Sequence, residues 1–231
     1  MIRVVLFDID GTLLASGGVG RRAMEGALLA HFGTTGPAGY RYDGKTDRQI
    51  ARESMRHAGF ADADIDERME SLLADYLVRL EVSVASGTHG VRTHVGIPEL
   101  LDALQARDDV LLGLLTGNVA PGAALKLRAA GLAPERFRVG AFGSDHEDRP
   151  ELPAIAQRRA VELLGHDVLG ASVVIVGDTP ADVHCGRGIG ARAVAVATGH
   201  YSVVDLAAHA PHAVLADFAD LDASLGAICH A

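Results

Sequence analysis

The sequence predicts an α/β fold in which a doubly wound parallel sheet is interrupted by a smaller, inserted α-helical domain. Three observations carry this prediction: short continuous apolar runs, amphipathic stretches between the later runs, and a long interval after the first run that has no strand pattern. Alternating strands and helices indicate a parallel sheet with helices on both faces, and such sheets bind ligands at the carboxyl ends of their strands.

The predicted strands are short apolar runs, and most of them end at a polar residue or a glycine. They occupy residues 4–7, 110–115, 139–142, 173–176 and 193–197, with a weaker run at 213–215. Runs without polar alternation are expected where both faces of a strand are buried. The polar residues that follow them should therefore gather at one edge of the sheet.

Amphipathic stretches at 97–107, 119–130 and 152–164 predict the helices between the later strands. Pro98 suits the first turn of the first of these helices, because a proline there lacks only an N–H that would have no partner within the helix. Glycines at 131 and 165 are typical residues just past a helix end. Each predicted strand of this region is thus followed by a helix or a turn.

The interval from 9 to 109 departs from this alternation of strands and helices, because it contains helical patterns at 19–32, 46–58 and 62–84 and no convincing strand. Along the third pattern, apolar residues recur at three- and four-residue spacing and should form one buried stripe. The stripe consists of Met69, Leu72, Leu73, Tyr76, Leu77 and Leu80. With joints at Gly17-Gly18 and Ser86-Gly87-Thr88, we predict a core of residues 1–16 and 88–231 and a helical domain of residues 17–87.

Composition excludes several classes of protein. The 231 residues are 48% hydrophobic and 22% charged, which excludes wholesale disorder. A formal charge of -9 argues against a protein built mainly to bind nucleic acid or an anionic membrane. Cys185 and Cys229 are too few for a disulfide framework, and the first apolar run is too short for a signal peptide. We therefore expect a cytoplasmic protein with no nucleic-acid or membrane partner.

The strongest chemical signal is the segment Asp8-Ile9-Asp10-Gly11-Thr12, which directly follows the first apolar run. Two carboxylates this close at a strand end repel each other unless a cation or a proton compensates, and Mg²⁺ prefers oxygen ligands of this kind. The glycine allows the chain to turn sharply. Taken alone, the segment is also compatible with a solvated turn.

Two other strand ends carry related groups. Asp178 and Asp182 follow the run at 173–176, and Thr116-Gly117-Asn118 follows the run at 110–115. Asp178 is either a metal ligand or a helix cap, and the hydroxyl of Thr116 suits a phosphate oxygen, although a plain turn gives the same pattern. Together the three strand ends supply a nucleophile, a metal ligand and a phosphate-binding hydroxyl, which metal-assisted phosphoryl transfer requires.

On these motifs the chain resembles the haloacid dehalogenase superfamily, and within it the phosphatase branch that is similar to phosphoglycolate phosphatase. The resemblance covers essentially the whole chain, including a helical cap inserted after the first strand. The segment at 8–12 is highly specific for the superfamily, and the Gly177-Asp178-x-x-x-Asp182 pattern is moderately specific. Thr116 indicates the superfamily only in the context of the other two motifs. The resemblance implies a Rossmann-type core and a Mg²⁺-dependent phosphatase.

The resemblance also implies a role for each carboxylate. Asp8 would be the nucleophile that forms an aspartyl-phosphate, and Asp10 would act as the general acid and then as the base. The Mg²⁺ would be held by the Asp8 carboxylate, the Asp10 backbone carbonyl and Asp178. Asp182 would support the ion directly or through another ligand.

Phosphate binding would fall to Thr116, to the N–H of Gly117 and to a cation. The superfamily usually has a lysine between the second and last motifs, often followed by proline, and here the best match is Arg149-Pro150. Arginine supplies the charge with a different geometry. Lys126 is the alternative for this role, and a surface ion pair is the alternative for Arg149.

The segment Gly44-Lys45-Thr46 in the predicted helical domain is a candidate for substrate specificity. Lys45 is one of only two lysines in the chain, and Thr46 precedes a predicted helix that it could cap. In related phosphatases such a loop reaches into the site and reads the leaving group, so Lys45 would meet an anionic group of the substrate. An exposed lysine in a capping turn is the alternative.

The expected substrate is a small phosphorylated metabolite, either phosphoglycolate-like or a sugar phosphate, and the expected assembly is a monomer or homodimer. A sugar phosphomutase shares these groups and stays an alternative. So does a receiver-like phospho-acceptor signalling module, although the inserted domain and Asp10 argue against it. Dehalogenase activity is disfavoured, because dehalogenases lack the second aspartate and the metal.

Overall fold

A six-stranded sheet forms the centre of the computed structural model, which describes residues 2–87 and 90–230. The strands are β1 (Arg3–Phe7), β2 (Leu14–Ala15), β3 (Arg92–Thr93), β4 (Val110–Thr116), β5 (Val139–Phe142), β6 (Val173–Gly177), β7 (Arg192–Val196) and β8 (Ala213–Leu215). The central sheet has the order β5-β4-β1-β6-β7-β8, and every neighbouring pair in it is parallel. The predicted α/β class with a doubly wound parallel sheet is therefore confirmed.

Helices follow most strands of this sheet. They are α1 (Val19–Phe32), α2 (Asp47–His57), α3 (Asp62–Ala85), α4 (Ile97–Gln105), α5 (Ala120–Ala129), α6 (Leu152–Leu164), α7 (Pro180–Cys185), α8 (Val203–Ala207) and α9 (Leu221–Cys229). The six predicted helices are all present, with ends within two residues of those expected. None of the described helices is long and apolar enough to cross a membrane.

The side chains of β1 alternate between two apolar layers, which explains its uninterrupted apolar sequence. Val5 and Phe7 pack in one cluster with α4, α5 and α9. Val4 and Leu6 pack in another cluster with α6. Because all four side chains are fully buried, burial of each face of the strand contributes hydrophobic free energy to the stability of the fold. This two-sided burial holds β1 in the middle of the sheet, between β4 and β6.

Helices α1, α2 and α3 form a helical insertion (residues Val19–Ala85) with an apolar cluster of its own. Leu28, Met55 and Tyr76 are fully or almost fully buried in that cluster. The predicted stripe on α3 faces it, with five members buried and Leu77 half-buried. The division at 17–87 stays a prediction, and Thr88 of the predicted joint lies outside the described residues.

The expectation of no strand between 9 and 109 is wrong. Two residues of β2 pair antiparallel with two of β3, Leu14 with Thr93 and Ala15 with Arg92. Next to this pair, the backbone N–H of His94 donates to the carbonyl of Leu13 at 3.1 Å. Strands this short carry no periodic pattern, and they form because the chain enters and leaves the helical insertion side by side.

Candidate active site

The carboxyl ends of β1, β4 and β6 meet at one edge of the sheet. Phe7 is in register with Leu114 of β4 and with Val176 of β6, so the residues that follow emerge together. Asp8, Thr116 and Asp178 all line a single cavity of about 810 Å³ between this edge and the helical insertion. The convergence expected from the sequence is therefore present in the structure.

Three buried carboxylates form an acidic triad at this edge, those of Asp8, Asp178 and Asp182. Each offers an oxygen that lies within 4.8 Å of the others, and each residue is at most 6% exposed. The guanidinium of Arg149 lies against the triad, 3.3 Å from Asp8 and paired with Asp182. One positive charge against three carboxylates leaves an excess of negative charge, so the oxygen donor set fits a divalent cation.

The pKa values of the triad reflect this crowding. Burial, followed by the charges of Asp182 and Asp10, raises the pKa of Asp8 to about 6 against the opposing effect of Arg149. Burial and the two neighbouring carboxylates also raise the pKa of Asp178 well above its usual range. Ionising these groups is therefore costly unless more positive charge is bound nearby.

The carboxylate of Asp182 is already occupied by protein donors. One oxygen accepts from Arg149, and the other accepts from the N–H of Thr179 at 3.0 Å and from its hydroxyl at 2.6 Å. Asp182 thus closes a capping box at the start of α7. Among the triad, Asp8 and Asp178 are the better candidates for direct ligands, with Asp182 behind them.

Gly11 lets the aspartate loop turn beneath Asp178. Its φ of 84° lies in the left-handed region, and a Cβ there would overlap the carboxylate of Asp178. The adjacent Thr12 is fully buried, and its hydroxyl donates to Asp178 at 3.0 Å. The glycine and the threonine of the motif therefore pack against Asp178 and orient its carboxylate.

Asp10 faces another cation. One of its carboxylate oxygens, Oδ2, accepts from the Lys126 ammonium at 2.7 Å and from the Asn118 amide at 2.8 Å. Burial alone would raise the pKa of Asp10, but the Lys126 charge and these hydrogen bonds hold it below its usual value. The side chain of Asp10 is thus outside the acidic triad, as expected of a group that would contact a metal only through its carbonyl.

Arg149 and Lys126 are alternatives for the phosphate-binding cation on sequence grounds, but in the structure they contact different carboxylates. Both are 4% exposed, but Arg149 contacts Asp8, whereas Lys126 contacts Asp10. The surface ion pair considered for Arg149 is wrong, because the side chain is buried. Sequence reasoning missed the Lys126 contact, although the buried positions of α5 at 122, 123, 126 and 127 have the spacing of an inward helix face.

The loop after β4 is covered by the helical insertion. Thr116 is fully buried, and its hydroxyl accepts from the amide of Asn118 at 2.8 Å. The carbonyl of Gly117 accepts from the N–H of Asp47 at 2.8 Å. A Cβ on Gly117 would overlap the carbonyl of Lys45, so this close approach requires a glycine.

Gly44 and Lys45 of the predicted specificity segment line the cavity, whereas Thr46 is fully buried beside them. Lys45 is half-buried, pairs with Glu53, and donates to the hydroxyl of Tyr40 at 2.6 Å. Thr46 caps α2 by accepting from Gln49 at 3.1 Å, and its own hydroxyl donates to the carbonyl of Glu147 at 2.6 Å. The capping by Thr46 is confirmed, and the exposed lysine considered as an alternative is wrong because the side chain is paired.

Similar proteins share this architecture. A predicted phosphoglycolate phosphatase from Haemophilus somnus is 18% identical, with a TM-score of 0.68, and the match covers 96% of this chain and 97% of that one. CbbY from Rhodobacter sphaeroides is 23% identical, with a TM-score of 0.68 and 96% of each chain covered. A hydrolase from Pseudomonas syringae is 20% identical, with a TM-score of 0.74 over 98% of this chain and 99% of that one. No curated protein sequence matches the chain. These likenesses show the fold.

A parallel sheet that brings buried carboxylates to one edge, beneath an inserted group of helices, defines an α/β protein of the Rossmann-type class. The sequence profile of the haloacid dehalogenase-like hydrolases matches residues 5–187. The chain belongs to the haloacid dehalogenase-like hydrolase family, and the family predicted from the motifs is confirmed.

Proposed function

We propose that the protein is a Mg²⁺-dependent phosphatase that hydrolyses a small phosphomonoester through an aspartyl-phosphate on Asp8. The observation that carries this proposal is the position of Asp8 at the cavity. Its carboxylate is buried, lies against the guanidinium of Arg149 at 3.3 Å, and belongs to a triad with excess negative charge. A nucleophile with a cation and a metal beside it is what phosphoryl transfer requires.

The triad supports magnesium as the metal. The proposed ligands are the carboxylates of Asp8 and Asp178 and the backbone carbonyl of Asp10, with Asp182 behind them. These are hard oxygen donors, which suit Mg²⁺ better than softer metals. When bound, the ion would neutralise the phosphoryl oxygens and keep Asp8 ionised.

The proposed reaction has two steps. An oxygen of Asp8 attacks phosphorus, the bond from phosphorus to the ester oxygen breaks, and the leaving alcohol takes a proton from Asp10. Asp10 then removes a proton from water, which attacks the phosphorus of the aspartyl-phosphate and releases inorganic phosphate and the Asp8 carboxylate. The net reaction consumes one water and forms an alcohol and phosphate.

Binding of the transferring phosphoryl group would fall to Thr116, the N–H of Gly117 and Arg149. All three line the same cavity as Asp8. Hydrogen-bond donors fixed in a largely buried site stabilise the developing charge of the transition state without having to reorganise. Arg149 would thus take the role for which the superfamily uses lysine.

A small phosphorylated metabolite is the proposed substrate. The cavity volume of about 810 Å³ suits a small ligand, and Gly44 and Lys45 line it on the side of the insertion, with Thr46 following them in the chain. One similar structure, 22% identical, is of CbbY with xylulose-1,5-bisphosphate, and another is titled a predicted phosphoglycolate phosphatase. A cytoplasmic location and a monomer or homodimer stay predictions.

A sugar phosphomutase is the second candidate. The contacts of Asp47 and Lys45 with Gly117 close the helical insertion over the loop after β4, and excluding water in this way would favour return of the phosphoryl group to a sugar. A structure of a putative β-phosphoglucomutase from Thermotoga maritima is 19% identical, with a TM-score of 0.61.

A panel of phosphate esters tests the proposal. The protein is incubated with Mg²⁺ and phosphoglycolate, sugar phosphates or p-nitrophenyl phosphate, and released phosphate is measured for the wild type, Asp8→Asn and Asp10→Asn. We expect turnover by the wild type and a loss of at least about a hundredfold in each variant. Isomerised sugar phosphate instead of free phosphate would favour the mutase. A wild type that releases phosphate from none of these esters refutes the phosphatase.

A further inference from the structure

We propose that Lys126 is a positioning residue for Asp10 and that it acts from a largely buried polar cluster shared by α5 and the helical insertion. The inference rests on the proposed function, because it concerns the residue proposed to protonate the leaving alcohol. The cluster consists of Asp10, Asp47, Tyr76, Asn118 and Lys126.

The ammonium of Lys126 is held on more than one side. It donates to Asp10 at 2.7 Å and to the carbonyl oxygen of the Asn118 amide at 2.6 Å, and the residue is 4% exposed. The nitrogen of the same amide donates to Asp10 at 2.8 Å. Lys126, Asn118 and Asp10 thus form a closed triangle of hydrogen bonds, which fixes the orientation of all three side chains.

The helical insertion supplies the remaining contacts of this cluster. A Cβ on Gly20 of α1 would lie 3.0 Å from the ammonium nitrogen, so the backbone of α1 covers Lys126 closely. The buried carboxylate of Asp47 accepts from the N–H of Val119 at 2.8 Å, and Val119 directly precedes α5. The side chain of Tyr76 also hydrogen-bonds to the Asp47 carboxylate. Lys126 therefore contacts a carboxylate of the aspartate loop, and its charge also acts on the Asp47 carboxylate of the insertion.

This arrangement separates the tasks of the two buried cations. Arg149 contacts Asp8, whereas the contacts of Lys126 are with Asp10 and Asn118. Lys126 and Asn118 both donate to the Oδ2 atom of Asp10, so the side chain cannot rotate towards Asp8 without losing these two hydrogen bonds. Lys126 would thereby keep the Asp10 side chain apart from the nucleophile and hold it in one orientation for its work at the leaving oxygen.

Substrates with different leaving groups test this role. An alkyl phosphate such as glycerol 2-phosphate needs a proton on its leaving oxygen, whereas p-nitrophenolate leaves without one. We expect Lys126→Met to lower kcat/KM for the alkyl ester by about a hundredfold and for p-nitrophenyl phosphate by less than about fivefold, because only the first reaction depends on the acid. A purely structural role, or phosphoryl binding by Lys126, would lower both values by the same factor and would overturn the inference.

Two controls isolate the effect. In an Asp10→Asn background, Lys126→Met should cause no further loss with the alkyl ester, because the group that it positions is already inactive. Arg128→Met changes an exposed cation on the same helix and should leave both kcat/KM values at the wild-type level. A further large loss in the Asp10→Asn background would contradict the inference.

A second variant keeps the test decisive if Lys126→Met does not fold. Gly20→Ala adds a methyl group 3.0 Å from the ammonium, which must shift slightly to accommodate it, while every titratable residue is kept and the change to alanine favours the helix. We expect the same selective loss with the alkyl ester, and an unchanged ratio of the two kcat/KM values would overturn the inference. If the wild type hydrolyses neither ester, the proposed function itself fails, which is a separate outcome.

Discussion

A single guanidinium, that of Arg149, balances the buried carboxylates of Asp8 and Asp182. Removing one partner of a buried ion pair is costly, because the remaining charge stays in a medium that solvates it poorly. Asp178, which has no direct ion pair with Arg149, adds to the negative charge of the same site. The electrostatics of the site therefore depend on this one residue when no metal is bound.

Replacing Arg149 with methionine should destabilise the metal-free protein by about 3 kcal/mol or more, because three buried carboxylates then face no fixed cation. Urea unfolding with EDTA and with Mg²⁺ measures this effect, and we expect Mg²⁺ to restore part of the loss. Arg158→Met, at an exposed position with a long ion pair, should change stability little. Equal stability of Arg149→Met and the wild type in EDTA would contradict this view of the site.

The buried carboxyl group of Asp47 should make the free energy of unfolding depend on pH. Burial raises its pKa to about 6 in spite of the nearby charge of Lys126 and the Val119 hydrogen bond. For an acid whose pKa is higher in the folded state than in the unfolded chain, protonation stabilises the fold. This contribution to the free energy of unfolding is complete below the pKa of the unfolded chain and disappears as the pH rises through about 6.

The neutral variant Asp47→Asn lacks this titration and still offers an oxygen to the N–H of Val119. Its free energy of unfolding relative to the wild type should therefore improve by about 2 kcal/mol between pH 4 and pH 7.5. Urea unfolding at several pH values measures the difference. A difference that does not change with pH would show that Asp47 does not titrate in this range.

At the scale of elements, hydrogen bonds join the loop after β4 to the start of α2. The N–H of Asp47 donates to Gly117, and the carboxylate of Asp47 accepts from Val119, both at 2.8 Å. The hydroxyl of Thr46 adds a bond to the carbonyl of Glu147 at 2.6 Å. These bonds hold the segment that contains Lys45 over the cavity.

Gly117→Ala should break this contact, because the added methyl group would overlap the carbonyl of Lys45. We expect kcat/KM for the best substrate to fall by about tenfold or more, and hydrogen exchange of the N–H of Asp47 to become faster. Gly226→Ala in α9 meets open space and provides the matched control. Exchange at Asp47 as slow as in the wild type would mean that the contact survives.

Local patterns explain which elements the sequence predicts. Helix α1 and strand β5 begin and end where their apolar patterns do, because those patterns come from burial of a face along the element itself. Strands β2 and β3 are two residues long and depend on a partner far along the chain, so no local pattern marks them. The pairing of Lys126 with Asp10 likewise spans 116 positions and depends on how α5 and the aspartate loop pack.

At the scale of the whole molecule, the fold concentrates part of the negative charge of the chain at one place. The formal charge is -9, and the buried triad lies where three parallel strands end. A divalent cation bound there would stabilise the folded protein over the unfolded chain, which lacks the assembled site. Metal binding and overall stability should therefore be linked.

Adding Mg²⁺ in excess over its Kd should raise the melting temperature by several degrees, since ligand at about 100 times its Kd contributes about 2.7 kcal/mol. The rise should be smaller in Asp178→Asn, which removes one proposed ligand. It should be unchanged in Asp108→Asn, an exposed position just before β4 at the opposite edge of the sheet. A rise in Asp178→Asn equal to that of the wild type would argue against the triad as the metal site.

The proposed function depends most on Asp8 as the nucleophile, and trapping the phosphorylated enzyme tests this role directly. The protein is mixed with Mg²⁺ and its best phosphate ester, quenched in acid within one turnover, digested and measured by mass spectrometry. We expect one phosphoryl group on the peptide that contains Asp8, and none on that peptide from Asp8→Asn, which should also lack turnover. A phosphoryl group on another residue, or full activity of Asp8→Asn, would contradict this role.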